Sequence, residues 1–177
     1  MQYNIILCGV GGQGILFLSK FFIQVAMKAG LNAKQSEIHG MAQRGGSVFA
    51  HLRLSDGEIH SPLIPENCAD MIISMEPLEV FRYANYINTN TKMIINSTPF
   101  KNISNYPDEE KIIKPLRENG AYLLENASNI TLAGCASKFL PIEKHIFDEV
   151  LSELSKKSQE MYEKNKADFE KGQNYDL

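Results

Sequence analysis

An α/β fold with a mostly parallel sheet, covered on both faces, is what this sequence predicts. Three observations lead there. Short apolar, β-prone runs alternate with stretches of helical spacing, a glycine-rich loop joins the first strand to the first helix, and several of the strands, "YNIILC", "ADMIISM" and "KMIINS", are apolar runs rather than alternating ones. A composition of 44% hydrophobic and 22% charged residues in 177 is that of a globular chain with a full core.

The elements follow in order. Tyr3 to Cys8 reads as a strand buried on both sides, and "GVGGQG" turns it into a helix from Ile15 to Lys28, with apolar Leu16, Leu18, Phe21, Phe22 and Val25 at helical spacing and Gly30 as its stop. Leu31 to Ser36 is expected as a short second strand. Val48, Ala50, Leu52 and Leu54 then alternate with Phe49, His51 and Arg53, and "SDGE" suggests a tight turn into Ile59 and hence a hairpin there. "ADMIISM" and "KMIINS" read as two buried strands around a helix from about Leu78 to Ile87, which Pro77 suits as a first residue. A helix over 107–119 ends at Gly120, "AYLLE" offers a last strand, and helices over 130–140 and 142–154 are divided by Pro141. The Lys/Glu-rich end, 156–177, is expected as a polar helix or a frayed tail beyond a domain of residues 1–155. The whole predicts a mostly parallel, Rossmann-like doubly wound sheet with an inserted β-hairpin and C-terminal helices.

Charge and cysteines narrow the function. A net charge of −3 gives no reason to expect nucleic acid or an anionic membrane as partner. Cys8, Cys68 and Cys135 are far apart and form no C-x-x-C, which fits a reduced, cytoplasmic protein and argues against an iron–sulfur cluster held by this chain. The apolar start lacks a basic flank and is broken by Gly and Gln, so neither a signal peptide nor a membrane span is expected. The four histidines lack metal-ligand spacing, and no nucleophile motif appears.

Two loops hold the candidate chemistry. Gly9, Gly11 and Gly14 match G-x-G-x-x-G between strand and helix, with Gly12 and Gln13 inside. Glycines permit the turn and the close approach, and the helix start offers free N–H groups to a phosphate. A tight turn that binds nothing is the alternative. A dinucleotide site would put an acid at the end of the second strand, where Lys34 and Gln35 stand instead and Glu37 comes late. The second loop, "SEIHGMAQRGGSV", carries Glu37, His39, Gly40, Arg44, Gly45 and Gly46. If it shares the crevice at the carboxyl ends of the strands, Arg44 can add a bidentate phosphate contact, whereas a plain Glu37–Arg44 surface pair would contribute only ~0–1 kcal/mol. Glu76, after the strand in "SMEP", is expected at the same rim, or simply as an acid at a helix start.

"ILCGVGGQGILFLSK", "SEIHGMAQRGGSVFAHLRL", "SPLIPENCADMIISMEPLEVFRY" and "GCASKFLP" resemble, in order and to about Leu151, the gamma subunit family of 2-oxoacid:ferredoxin oxidoreductases, and most of all the small (beta) subunit of indolepyruvate oxidoreductase. The resemblance implies a non-catalytic subunit, inert alone, of an enzyme that oxidatively decarboxylates a 2-oxoacid to an acyl-CoA. Thiamine diphosphate and iron–sulfur clusters would sit on a larger partner subunit, electrons would leave to ferredoxin, and this chain would bind coenzyme A and pack against the partner, or form a homodimer when isolated. Gly9, Gly11, Gly12, Gln13 and Gly14 would form the phosphate loop, and Gly40, Arg44, Gly45 and Gly46 the cleft wall or subunit contact, with Glu37 and Glu76 beside them. The wording "HGMAQRGG" leans toward an arylpyruvate. One departure is plain: the longer helical segment the family carries between "AYLLENA" and "NITLAG" is almost gone here, so its contacts are not carried over. From the glycine loop alone, a free-standing nucleotide- or CoA-binding protein or an NAD(P)-dependent reductase remains the alternative.

Overall fold

The structure is a computed structural model that describes residues 1–39, 46–101, 103–156 and 158–176. Six strands form one sheet: β1 (Gln2–Val10), β2 (Asn32–His39), β3 (Ser47–Ser55), β4 (Met71–Ser74), β5 (Lys92–Asn96) and β6 (Tyr122–Leu124), in the order β2-β3-β1-β4-β5-β6. β1, β4, β5 and β6 run parallel, while β3 is antiparallel to both β1 and β2. The expected class therefore stands, a mostly parallel doubly wound sheet with an inserted hairpin.

The hairpin is not where "SDGE" put it. β2 and β3 pair from Asn32 with Ser55 to His39 with Val48, so its tip is the second candidate loop. β3 has β1 on one side and β2 on the other, and no edge is left for a further strand. After Ser55, whose Oγ accepts from the Gly57 N–H at 3.0 Å, the chain leaves the sheet, buries Ile59 and packs Ile64 with Ile6, Ile72 and Ile95 on one face. Glu37 and His39, expected in a loop, belong to β2.

Two apolar cores sandwich the sheet. One joins Ile5, Leu7, Leu52 and Ile73 to α1 (Ile15–Lys28), α3 (Asn129–Ser137), α4 (Lys144–Leu154) and α5 (Gln159–Gln173). The other joins Ile6, Ile72 and Ile95 to a 3₁₀ helix (Pro77–Tyr86, kinked at Tyr83) and α2 (Glu109–Glu118). Helix ends obey their sequence signals. Past α1, Gly30 at φ 75 lets Leu31 N–H reach Ala26 O and its own N–H reach Met27 O, and Gly120 closes α2 by the same pair of bonds.

The stretch 156–177 contains α5, and its inner side is part of the fold. Phe169 is buried with Phe21 and Phe147, ring centroids 6.0 and 5.6 Å away. α3 and α5 touch backbone to backbone at two glycines: a β-carbon on Gly134 would collide with the Phe169 carbonyl, and one on Gly172 with that of Thr131.

Candidate functional site

The carboxyl ends of β1, β4 and β5 share one edge, and the β2–β3 tip reaches the same edge because β2 runs in the direction of β1. The two candidate loops meet there: Gly11 N–H donates to Gly46 O at 2.9 Å. Gly40 and Gly45, together with Arg44, lie outside the described residues.

The glycine loop is shaped by three glycines for three reasons. At Gly9 a side chain would press on Gln13, Ile15 and Met75. Gly12 has φ 101 with open space beside it, and Gly14 has φ 80 with the Asn129 amide where a β-carbon would go. The latter two conformations are ones an L side chain rarely adopts. Gln13 turns inward: its Oε1 accepts from Val10 N–H at 2.8 Å and its Nε2 donates to Met75 O at 3.2 Å. It thus ties the loop across to the end of β4 and has little left for a ligand.

Gly14 is the N-cap of α1, no side chain caps this helix, and its first turn carries no acid. The first N–H groups of a helix lack intrahelical partners, and the helix dipole adds partial positive charge there. In front of them lies a cleft of about 350 Å³ lined by Val10, Gly11, Gly12, Gly14, Ile15, Leu16 and Val48. None of these is acidic. Such an arrangement can receive a phosphate through backbone donors without a competing carboxylate.

The two acids of the expected site are differently placed. Glu76 is 1% exposed, and its carboxylate accepts from Leu78 N–H at 3.2 Å, Phe100 N–H at 2.6 Å and the Tyr106 hydroxyl. It caps the 3₁₀ helix and clamps the segment after β5, the helix-start reading rather than an open rim. Burial, then the Glu76 bond, holds the Tyr106 phenol protonated far above its usual range. Glu37 lies on the α1 side of β2 and accepts from Gln35 Nε2 at 3.0 Å, while Gln35 Oε1 takes the Ser19 hydroxyl.

A buried cluster that sequence reasoning missed sits on the opposite face of the sheet. Ser47 bonds Glu79 and lies 3.2 Å from the Tyr83 hydroxyl, and Glu79 also pairs with Arg82 at 3.2 Å. It anchors the start of β3 next to Gly46. Its one sequence signal, Glu79 in the first turn of a helix, is indistinguishable from an ordinary helix-start acid.

Cys8 and Cys135 are buried and Cys68 is exposed. Burial pushes the Cys8 thiol up to about 12 and the Cys135 thiol to about 11. Among the described residues no group of three His, Cys, Asp or Glu could hold a metal. No helix among them is long and apolar enough to cross a membrane.

Residues 4–175 match the family model of pyruvate ferredoxin/flavodoxin oxidoreductase. The indolepyruvate oxidoreductase subunit IorB of Archaeoglobus fulgidus is 45% identical over 67% of this chain, and the match spans 61% of that relative's length. Its counterpart in Methanothermobacter thermautotrophicus is 41% identical over 75% of the chain and 70% of its own length. The fold is that of the keto/oxoacid ferredoxin oxidoreductase gamma subunit from Geobacter sulfurreducens, with TM-score 0.72 and 17% identity over 99% of this chain and 96% of that one. It also matches the 2-oxoglutarate:ferredoxin oxidoreductase of Magnetococcus marinus, solved with 2-oxoglutarate, coenzyme A and succinyl-CoA bound, with TM-score 0.73 and 20% identity over 97% of this chain and 30% of that one. With a family model matched over nearly its whole length, this chain belongs to the pyruvate ferredoxin/flavodoxin oxidoreductase family.

Proposed function

We propose that the chain is the small, non-catalytic subunit of a 2-oxoacid:ferredoxin oxidoreductase acting on an arylpyruvate such as indolepyruvate, and that its share of the work is to bind the phosphates of coenzyme A and to pack against a larger subunit. The observation that carries the phosphate role is the uncapped, acid-free start of α1 opening into the glycine-lined cleft. What favours the arylpyruvate is the naming of the relatives at 41% and 45% identity.

Strand order favours CoA over a nicotinamide dinucleotide. In a dinucleotide fold the second strand lies next to the first, and its terminal acid grips the ribose. Here the antiparallel β3 lies beside β1 and points its carboxyl end at the opposite edge, while Glu37 is one strand farther out and held by Gln35. The free-standing reductase reading thus lacks its ribose contact.

Thiamine diphosphate and iron–sulfur clusters belong in this reading to the partner, where they supply the decarboxylation and electron-transfer chemistry. This chain's own residues bind and orient. Backbone N–H groups around Gly12 and Gly14 hold the CoA phosphates, Gln13 keeps the loop in register with β4, and Arg44 adds positive charge. The chain alone is inert, and electrons reach ferredoxin only through the assembled complex.

An anaerobic native pull-down with this chain as bait tests the reading. Recovery of a larger partner containing iron and thiamine is the expected result, and recovery of the chain alone would overturn it. Filling the loop by Gly11→Val should abolish CoA binding in that complex, and Arg44→Ala should weaken it or weaken assembly. If both variants titrate like the parent, the phosphate role is wrong.

A further inference from the structure

A second cleft, of about 550 Å³, lies beside the glycine loop. Its volume falls within the ~300–1,000 Å³ of small-molecule sites. The first turn of α1 is common to both clefts, with Ile15 and Leu16 lining one and Phe17 the other. Asn129 forms the wall between them: its Nδ2 donates to Gly14 O at 3.3 Å and its own side chain lines the second cleft. A ligand with phosphate at the start of α1 therefore has its neighbouring group within reach of this hollow.

The lining has a consistent chemistry. Phe17, Ile130 and Met161 supply apolar and polarizable surface, and Met161 is 52% exposed. Asn165 donates one Nδ2 hydrogen to Ser155 Oγ at 3.1 Å and can offer a ligand its carbonyl oxygen as well as its second N–H. Asp168 accepts from Ser128 Oγ at 2.9 Å with one carboxylate oxygen and has the other to offer. Acceptors beside an aromatic ring and a thioether suit a flat ring that carries N–H donors. Two acids, Glu160 and Asp168, stand in the lining with one cation, Lys164, which leaves it an excess of negative charge.

We propose that this cleft seats the nucleobase of a nucleotide ligand, an amino-purine whose phosphate end lies on the glycine loop. The inference rests on the phosphate reading above and adds a separate contact to it. In coenzyme A the amino-purine is the adenine end, stacked on Phe17 and Met161 with its amino group toward Asn165 and Asp168.

Calorimetric titration of the full chain with CoA and, separately, with 4′-phosphopantetheine tests it, because the second ligand keeps a phosphate and lacks the base. Met161→Asp is at the surface and should leave the fold intact; Phe17→Ala is the second variant. Each should weaken CoA at least about fivefold, the scale of a lost base stack, and leave 4′-phosphopantetheine unchanged. CoA affinity unaltered in both variants, or equal losses for both ligands, would overturn the nucleobase seat while leaving the glycine loop in place. A parent chain that binds neither ligand would overturn both readings.

Discussion

His51 belongs to the alternating run of β3, and alternation alone sets it on the face away from Ala50 and Leu52. That face is covered too. His51 is 3% exposed, its Nδ1 accepts from Ile64 N–H at 3.1 Å, and Phe49 and Tyr86 flank its ring. Burial lowers its pKa below the usual 6.5. Above pH 6.5 both folded and unfolded chains hold it neutral. As pH falls through 6.5 the unfolded chain takes up a proton first, so stability declines until the folded pKa is reached. His51→Gln keeps an acceptor for Ile64 and removes the titration. Urea unfolding between pH 5 and 8 should show the parent losing stability on the acid side relative to this variant; parallel profiles would sink the assignment. What sequence could say of such residues ends at their own strand. His51 and Glu76 both depend on distant partners, Ile64 for one, Phe100 and Tyr106 for the other, which no local pattern announces.

At the scale of elements, spacing and end signals served well wherever the cause was local. α1 runs from Ile15 to Lys28 as its apolar spacing and Gly30 predict, because both its buried stripe and its stop are written into adjacent residues. The hairpin was misplaced because Asp56–Gly57 has the chemistry of a turn but the edge beyond it is already taken by β1 and β2. α5 was missed as a packing element for a different reason. In "KADFEKGQ" only Phe169 and Gly172 are buried, too sparse for an amphipathic stripe, and a glycine inside a helix reads as a weakness. Its use is proximity to α3. Gly134→Ala should therefore force α3 and α5 apart at a cost of about 1–3 kcal/mol, visible as a lower urea midpoint, and Gly172→Ala should do the same. An alanine at either position that stabilised the protein, as helix propensity alone would have it, would show that the two backbones are not in contact.

For the molecule as a whole, the α/β architecture and the meeting of the two glycine-bearing loops were legible, since both follow from strand order at one edge of a sheet. The interposed β3 was not, and it is what separates a CoA-type reading from a dinucleotide one. The aromatic group Phe21, Phe147 and Phe169 binds α1, α4 and α5 into one core, so stability should be shared across the chain rather than held by residues 1–155. Deleting 158–177 should yield a protein that binds a hydrophobic dye, loses near-ultraviolet dichroism and unfolds without a sharp transition; a truncated form with the parent's cooperativity would contradict this. The same docking has a consequence for biosynthesis. While the polypeptide is being made, the seat for Phe169 between α1 and α4 stays open until the codons for α5 have been read and that helix has left the ribosomal tunnel. Closure of the larger core is thus deferred until α5 has emerged, and up to that point Phe21 and Phe147 wait without the third ring of their group.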